Sequence, residues 1–145
     1  MDCLYLGSVG AAYTIQTLRS LDIRYILTVC ENLPPKFPNE FIYKIIPVTD
    51  EPTTKISHYF KESLDFIRNS VVSKNNVLVH CFAGVSRSAS VVIAYLMKYH
   101  KMEYNSALNY VKSKRPWVNP NYGFQGQLRR YNIFLKNQKL KESSF

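Results

Sequence analysis

Residues 76–81, "NVLVHC", read as the most hydrophobic strand of the chain and therefore as a central one. A run of this length suits a strand buried on both faces, the kind found in parallel sheets. It is not followed by a tight turn and a returning strand. The chain passes through "FAGVS" and directly into "RSASVVIAYLMKYH" (87–100), where apolar residues fall on several sides of a helix. A buried strand that feeds a buried helix through a short loop is half of a crossover unit. It commits the chain to layered α/β architecture with parallel strands and right-handed connections.

The rest of the sequence fits that frame. "CLYLG" (3–7), "RYILTVC" (24–30) and "FIYKIIPV" (41–48) read as strands. Residues 10–21 have helical spacing, with Ile15, Leu18 and Leu21 on one side. "ENLPPKFPNE" holds three prolines and must be a loop. Ile56, Phe60, Leu64, Ile67 and Val71 recur at three- and four-residue steps, which predicts a helix over 55–72. An amphipathic helix over 104–115 is stopped by Pro116, and a last helix covers about 123–137. The expectation is one compact α/β domain over 1–137, with a central, mostly parallel twisted sheet of about five strands flanked by helices. A basic tail over 138–145 follows. In open sheets of this kind ligands bind beyond the carboxyl ends of the strands. The loops after Cys30, Val48 and Val79 therefore share one rim.

Charge and cysteine content narrow the setting. The net charge of +9 favours anionic partners, among them phosphorylated protein, acidic lipid and nucleic acid. Cys3, Cys30 and Cys81 make an odd set in a chain long enough to bury a core without staples, which fits a reducing, intracellular compartment. Their spacing, and that of His58, His80 and His100, matches no zinc pattern. No apolar run is long enough to cross a bilayer. The start, "MDCLYLGSVGAAY", lacks the basic segment of a signal peptide, and no Gly follows Met1 to accept a myristoyl group. A cytoplasmic protein, nuclear as well, is expected.

Cys81 falls where the central strand ends. The loop Phe82-Ala83-Gly84-Val85-Ser86 is small or apolar and contains one glycine, so successive N–H groups can turn inward as an anion nest. The helix that follows adds partial positive charge at the same point. Arg87, in its first turn, can fork onto two oxygens of an oxyanion. A tetrahedral dianion such as phosphate fits these donors, and the same field favours a thiolate at Cys81. A thiolate beneath a cradled phosphate is a nucleophile aimed at phosphorus. The alternative for Cys81 is an inert core thiol. His80 reads as an orienting group rather than a base. A nucleotide P-loop is excluded because no Gly-Lys-Ser/Thr follows.

"VHCFAGVSRSAS" resembles the His-Cys-x2-Gly-x2-Arg-Ser signature of cysteine-based protein tyrosine phosphatases, and its "AG-x-SRS" form resembles the dual-specificity branch. "LYLGS", "YILTV", "VTDEP" and "RPWVNPNYGFQGQL" resemble that branch in the same order, so the likeness spans nearly the whole chain. The resemblance implies a compact α/β domain that needs no metal and no cofactor.

Thiolate chemistry on a phosphomonoester needs an acid for the leaving oxygen. Of the ten carboxylates only Glu103 and Glu142 follow Cys81; one opens a helix and the other lies in the tail. Asp22, Glu62 and Asp65 lie on or beside helices. Asp50 and Glu51 follow the strand 41–48 on the functional rim, and Glu31 opens the proline-rich loop there. Asp50 is chosen as general acid, and "VTDEP" resembles the branch's acid loop; the alternatives are Glu51 as acid, or Asp50 merely capping a turn, and Glu31 stays open. By resemblance, Ser88 donates to the sulfur, with helix capping as its alternative, and Asn121, in "NPN" with Asn119 and Pro120, supports the phosphate loop. Arg115 and Trp117 read as packing or surface residues.

Cys30 ends a strand expected beside that of Cys81. Inert packing is the plainer reading, and a Cys30–Cys81 disulfide under peroxide is the other. The uncharged loop residues resemble the protein-directed branch, which implies phosphotyrosine and phosphoserine or phosphothreonine substrates in phosphorylated proteins, kinases included. Phosphate or sulfate is expected in the loop. Neither nucleic acid nor an integral membrane is expected as partner, and the protein is expected to be a monomer. A phosphoinositide or nucleotide phosphatase of the same mechanism, or a non-catalytic phosphoprotein-binding module, are the alternatives.

Overall fold

The sheet is built from four parallel strands, β1 (Leu4–Gly7), β2 (Ile23–Val29), β3 (Ile42–Ile46) and β4 (Asn76–His80), in the order β1-β4-β2-β3. In this computed structural model, which describes residues 2–143, the strand leading to Cys81 is central as its composition predicts. Val77, Leu78 and Val79 of β4 pair with Leu4, Tyr5 and Leu6 on one side. On the other side they pair with Tyr25, Ile26 and Leu27. The sheet has four strands, fewer than the expected five, and all of them are parallel. The other apolar segments among the described residues carry helical spacing and have become helices.

Successive side chains of a strand point to opposite faces. Leu27, Val29, Val77 and Val79 enter one core, and Ile26 and Leu78 enter the other. The first core lies under α3 (Phe60–Val72), α4 (Arg87–Tyr99), α5 (Tyr104–Lys114) and α6 (Tyr122–Ser143). The second is smaller and is closed by α1 (Val9–Ala12) and α2 (Ile15–Ser20), with Phe41. Every residue of α4 from Ser88 to Met97 is buried. The helix that carries Arg87 is therefore fixed on all sides, not floated on the surface.

β3 (Ile42–Ile46) is shorter than the strand expected over 41–48, and three helices differ in form or extent from the sequence reading. The helix expected over 10–21 is two short helices, because Thr14 takes an extended conformation (φ −116°, ψ 107°) between them. Its hydroxyl donates to Gly10 O (2.7 Å), and the Tyr13 carbonyl accepts from Lys36 Nζ (3.0 Å) instead of continuing a helix. The helix expected over 55–72 starts with a 3₁₀ turn over Ile56–Tyr59 before α3. The last helix runs on to Ser143, past the expected end near 137, because Lys, Gln, Leu and Glu are good helix formers even without a core to cover. Met1, Ser144 and Phe145 lie outside the described residues. Among the described residues no helix is long and apolar enough to cross a membrane.

Ile93 is fully buried in α4 at the centre of the main core. Replacing it by Ala should destabilise the fold by about 2–5 kcal/mol. A lower urea midpoint with an unchanged slope is the expected reading.

Candidate active site

The loop between β4 and α4 is shaped from outside. Four successive carbonyls accept hydrogen bonds from four different N–H groups around it: Phe82 O from Val9 N (3.0 Å), Ala83 O from Arg115 Nη2 (3.1 Å), Gly84 O from Arg115 Nε (2.9 Å) and Val85 O from Asn119 N (2.9 Å). Ser86 O then accepts from Ser90 N (2.9 Å) and begins α4. In a trans peptide the N–H points opposite the C=O. Turning these carbonyls outward therefore turns the N–H groups of residues 83–86 inward. Gly84 N–H donates to Cys81 Sγ at 3.2 Å.

Gly84 is the residue that makes the curl feasible. Its φ is +70°, a region unfavourable to residues with a side chain. A Cβ there would also lie 2.7 Å from both Gly7 O and Arg115 Nη2. Backbone and guanidinium thus press against the loop with no room for a methyl group.

Cys81 Sγ, on a residue only 2% exposed, faces two donors. One is the Gly84 amide and the other is Ser88 Oγ at 3.0 Å, which can donate once the sulfur is ionised. Ser88 is fully buried in the first turn of α4 and does not cap it; the N-cap residue is Ser86, whose side chain makes no cap bond. His80 is buried behind the loop. Its Nδ1 lies 3.2 Å from Cys81 O and its Nε2 lies 2.8 Å from Thr28 Oγ1. A carbonyl can only accept, so Nδ1 carries the proton and Nε2 accepts from the Thr28 hydroxyl. Burial holds the imidazole below its ordinary value, and the bond to Cys81 O only partly opposes this. The ring is a neutral strut between β2 and the start of the loop.

Arg87 is anchored through one nitrogen. Its Nη1 donates to Glu31 Oε1 (2.9 Å) and to Val48 O (3.1 Å). Those bonds use both Nη1 hydrogens. Nε–H and the two Nη2 hydrogens remain for the side-on fork that matches two oxyanion oxygens. The Arg87 side chain is 12% exposed and Glu31 35%, so this ion pair is sheltered only on the arginine side. The Arg87 hydrogen bond holds the Glu31 carboxyl below the ordinary carboxylate value. Glu31, open at the sequence level as an acid, is an anchor for the arginine.

Asp50 stands exposed at the rim, and its Oδ1 accepts from Asn121 Nδ2 at 2.9 Å. Asn121 also donates its backbone N–H to Ser86 Oγ (3.0 Å) and accepts from Phe124 N at Oδ1 (2.9 Å). One residue thus joins the carboxylate loop, the phosphate-type loop and the start of α6. Gly123 and Gln127 fasten the same loop. A Cβ on Gly123 would lie 1.9 Å from Pro52 O. The Gln127 amide accepts from Ser57 N and donates to Thr54 O, both at 2.9 Å. Glu51 is exposed, and its carbonyl closes a turn by accepting from Thr54 N (3.0 Å).

Cys30 is buried on the same rim, and its thiol donates toward Glu31 O (3.3 Å) and Glu31 Oε1 (3.5 Å). Burial pushes this thiol up, and the neighbouring Glu31 and Cys81 add to the effect against the pull of Arg87. Cys30 and Cys81 are both free thiols. Among the described residues no group of three or more His, Cys, Asp or Glu could hold a metal ion. Arg115, Glu31 in its pairing role, Gly123 and Gln127 are the site-supporting residues that sequence reasoning missed. For Arg115, Gly123 and Gln127 the signal was the contiguous stretch "RPWVNPNYGFQGQL", and for Glu31 it was its place at the start of the proline-rich loop on the functional rim.

The family model described as "Dual specificity phosphatase, catalytic domain" matches residues 4–134. The chain is 48% identical over 126 residues to Dual specificity protein phosphatase 1 of Arabidopsis thaliana, covering 87% of this chain and 64% of that relative. It thus spans just under two thirds of that protein's length. The crystal structure of DUSP15 superposes with a TM-score of 0.90 at 35% identity, over 99% of this chain and 90% of that one. The human tyrosine phosphatase-like serine/threonine/tyrosine-interacting protein superposes with a TM-score of 0.88 at 34% identity, over 91% and 92%.

Two expectations follow from the geometry. Iodoacetamide at neutral pH should alkylate Cys81 before Cys30, and inorganic phosphate should protect Cys81, as read by peptide mapping. The Glu31–Arg87 pair should contribute stability that is full above the ordinary carboxylate value of 4.5 and fades as pH falls through the lower folded value. The gap in urea midpoint between wild type and Glu31→Gln should therefore close in acid.

Proposed function

The chain belongs to the dual specificity phosphatase catalytic-domain family, and from that premise we propose that it hydrolyses phosphotyrosine and phosphoserine or phosphothreonine in phosphorylated proteins through a phosphocysteine intermediate. The observation that carries this reading is the inward set of donors over Cys81 Sγ. Gly84 N–H and Ser88 Oγ address the sulfur, and Arg87 is held by Nη1 with its fork unspent.

In the proposed reaction the phosphoryl oxygens sit on the inward N–H groups of residues 83–86 and on Arg87 Nε and Nη2. The Cys81 thiolate attacks phosphorus in line, forming a P–S bond as the P–O bond to the substrate side chain breaks. Asp50 gives its proton to the leaving oxygen. As charge spreads over the equatorial oxygens, the loop and Arg87 hold them more tightly. Asp50, now a carboxylate, takes a proton from water; the water oxygen bonds phosphorus, and the P–S bond breaks. Ser88 donates to the departing sulfur. His80 and Asn121 act by holding the loop and Asp50 in place, not by touching substrate.

The loop side chains Phe82, Ala83, Val85 and Ser86 carry no charge, which favours a phosphomonoester on protein over a polyphosphorylated lipid headgroup. A pure phosphoprotein-binding module would need neither a nucleophile nor an acid, and the chain's having Cys81 and Asp50 on the rim of this loop supports the catalytic reading over that one. Cys81→Ser should abolish turnover of phosphopeptides while keeping phosphate affinity. Asp50→Ala should slow turnover by roughly two to four orders of magnitude, most for substrates with poor leaving groups. Phosphate release from phosphotyrosine and phosphothreonine peptides, compared with phosphoinositide vesicles and nucleotides, tests the substrate class. A preference for either of the latter, or no release from any of them, would overturn the reading.

A further inference from the structure

Arg115 emerges from the end of α5 in a non-helical conformation (φ −141°, ψ 88°), with Pro116 following. Its side chain swings away from the helix axis to the outer wall of the loop between β4 and α4. There Nε donates to Gly84 O (2.9 Å) and Nη2 donates to Ala83 O (3.1 Å). Two successive carbonyls are thus held by the two nitrogens on one edge of a single planar group. The opposing plane is fixed as well: the guanidinium carbon lies 4.9 Å from the centre of the Trp117 ring, which is itself 59% exposed. The group is flush with the loop, since a Cβ on Gly84 would meet Arg115 Nη2 at 2.7 Å.

We propose that Arg115, stacked on Trp117, is a positioning residue for the reaction: it keeps the Ala83 and Gly84 carbonyls outward so that the N–H groups of Gly84 and Val85 face the phosphoryl group and the Cys81 sulfur. The inference rests on the phosphatase reading for its chemistry but on these contacts for its geometry. A peptide that flips about its neighbours exchanges the direction of its C=O and N–H. A flip at either peptide would aim a carbonyl at a dianion and withdraw a donor from it. The other two carbonyls of the wall are held by backbone amides, Val9 N and Asn119 N, which side-chain substitution leaves in place. Ala83 and Gly84 depend on one side chain. They flank Gly84 Cα, the point of the loop with the freest backbone, where a flip meets least steric resistance. Lysine can replace this group only in part, because a single ammonium does not present two donors in a fixed plane.

The test compares Arg115→Ala, Arg115→Lys and Trp117→Ala with wild type, and with Arg129→Ala as a control. Arg129 is exposed, lies 5.3 Å over the Tyr104 ring, and loses the same unit of charge without touching the loop. Calorimetric titration with inorganic phosphate reads the nest directly and needs no turnover. Arg115→Ala should weaken phosphate binding about tenfold and lower kcat/KM on an aryl phosphate about a hundredfold. Trp117→Ala should move both in the same direction by less. Arg115→Lys should fall between wild type and Arg115→Ala. Added ethylguanidinium should restore activity to Arg115→Ala, a response that a loss of global stability would not give. Wild-type phosphate affinity in Arg115→Ala, an equal loss in Arg129→Ala, or a loss that follows the melting temperature without rescue would each overturn the proposal. If the wild-type protein binds phosphate and Arg115→Ala weakens it while neither hydrolyses any phosphoester, the positioning role stands and the phosphatase reading falls.

Discussion

The outward fastening of four consecutive carbonyls, on residues 82–85, is the interaction on which the site depends. A five-residue loop that leaves a strand and enters a helix has many conformations, and most of them mix N–H and C=O groups on its inner side. Here the donors come from four places: the turn after β1, the end of α5, the stretch before α6, and α4 itself for the fifth carbonyl. Each bond satisfies a group that would otherwise sit unpaired, and together they sort the loop by polarity. The cup is positive inside because its negative ends are occupied outside. Electrostatic preorganisation of this kind is built before a ligand arrives, so little is left to reorganise on binding.

The rest of the fold makes that sorting possible. The strand order puts β4 between β1 and β2, so that the loop after β4 is reached by the turn after β1 on one side and by Glu31 and Val48 on the other. Complete burial of α4 from Ser88 to Met97 fixes the base of Arg87, and the Glu31 and Val48 bonds fix its tip. A neutral His80 joins β2 to the first residue of the loop without adding a charge behind the sulfur. The carboxylate loop is fastened independently. Asn121, Gly123 and Gln127 clamp it to α6, and Asn121 also touches Ser86. The carboxylate loop and the loop after Cys81 are therefore tied together through Asn121, which bonds to Asp50 in one and to Ser86 in the other.

Much of this was legible in the sequence, for physical reasons. Local signals were strong where burial was strong: "NVLVHC" as a central strand, the apolar stripe of 55–72, and Cys81 through Arg87 as a strand-loop-helix unit. The candidate residues Cys81, Gly84, Ser88 and Arg87 lie within one short segment, so their proximity follows from chain connectivity alone. What the sequence did not disclose comes from segments far apart in the chain. Glu31 lies 56 residues before Arg87, and Arg115 lies 31 after Gly84; no periodicity encodes either bond. Glu31 reads in the sequence as an open candidate for the acid on the functional rim, not as a partner of Arg87, and Arg115 reads as a packing or surface residue. The two-part helix near the start was hidden because Thr14 fits apolar-polar spacing while its hydroxyl and the Lys36–Tyr13 bond break the backbone pattern. The expected count of about five strands exceeds the four observed, and the four are the segments the sequence reading itself names as strands.

The central claim is that this cup makes Cys81 sulfur the acceptor of a phosphoryl group. The most direct measurement mixes enzyme with excess phosphopeptide, quenches in acid within a single turnover, and maps phosphate on the digested chain. The account predicts phosphate on sulfur in the peptide that contains Cys81, forming and decaying at rates that bracket turnover. Release of phosphate with no labelled Cys81, or label on any other side chain, would contradict it.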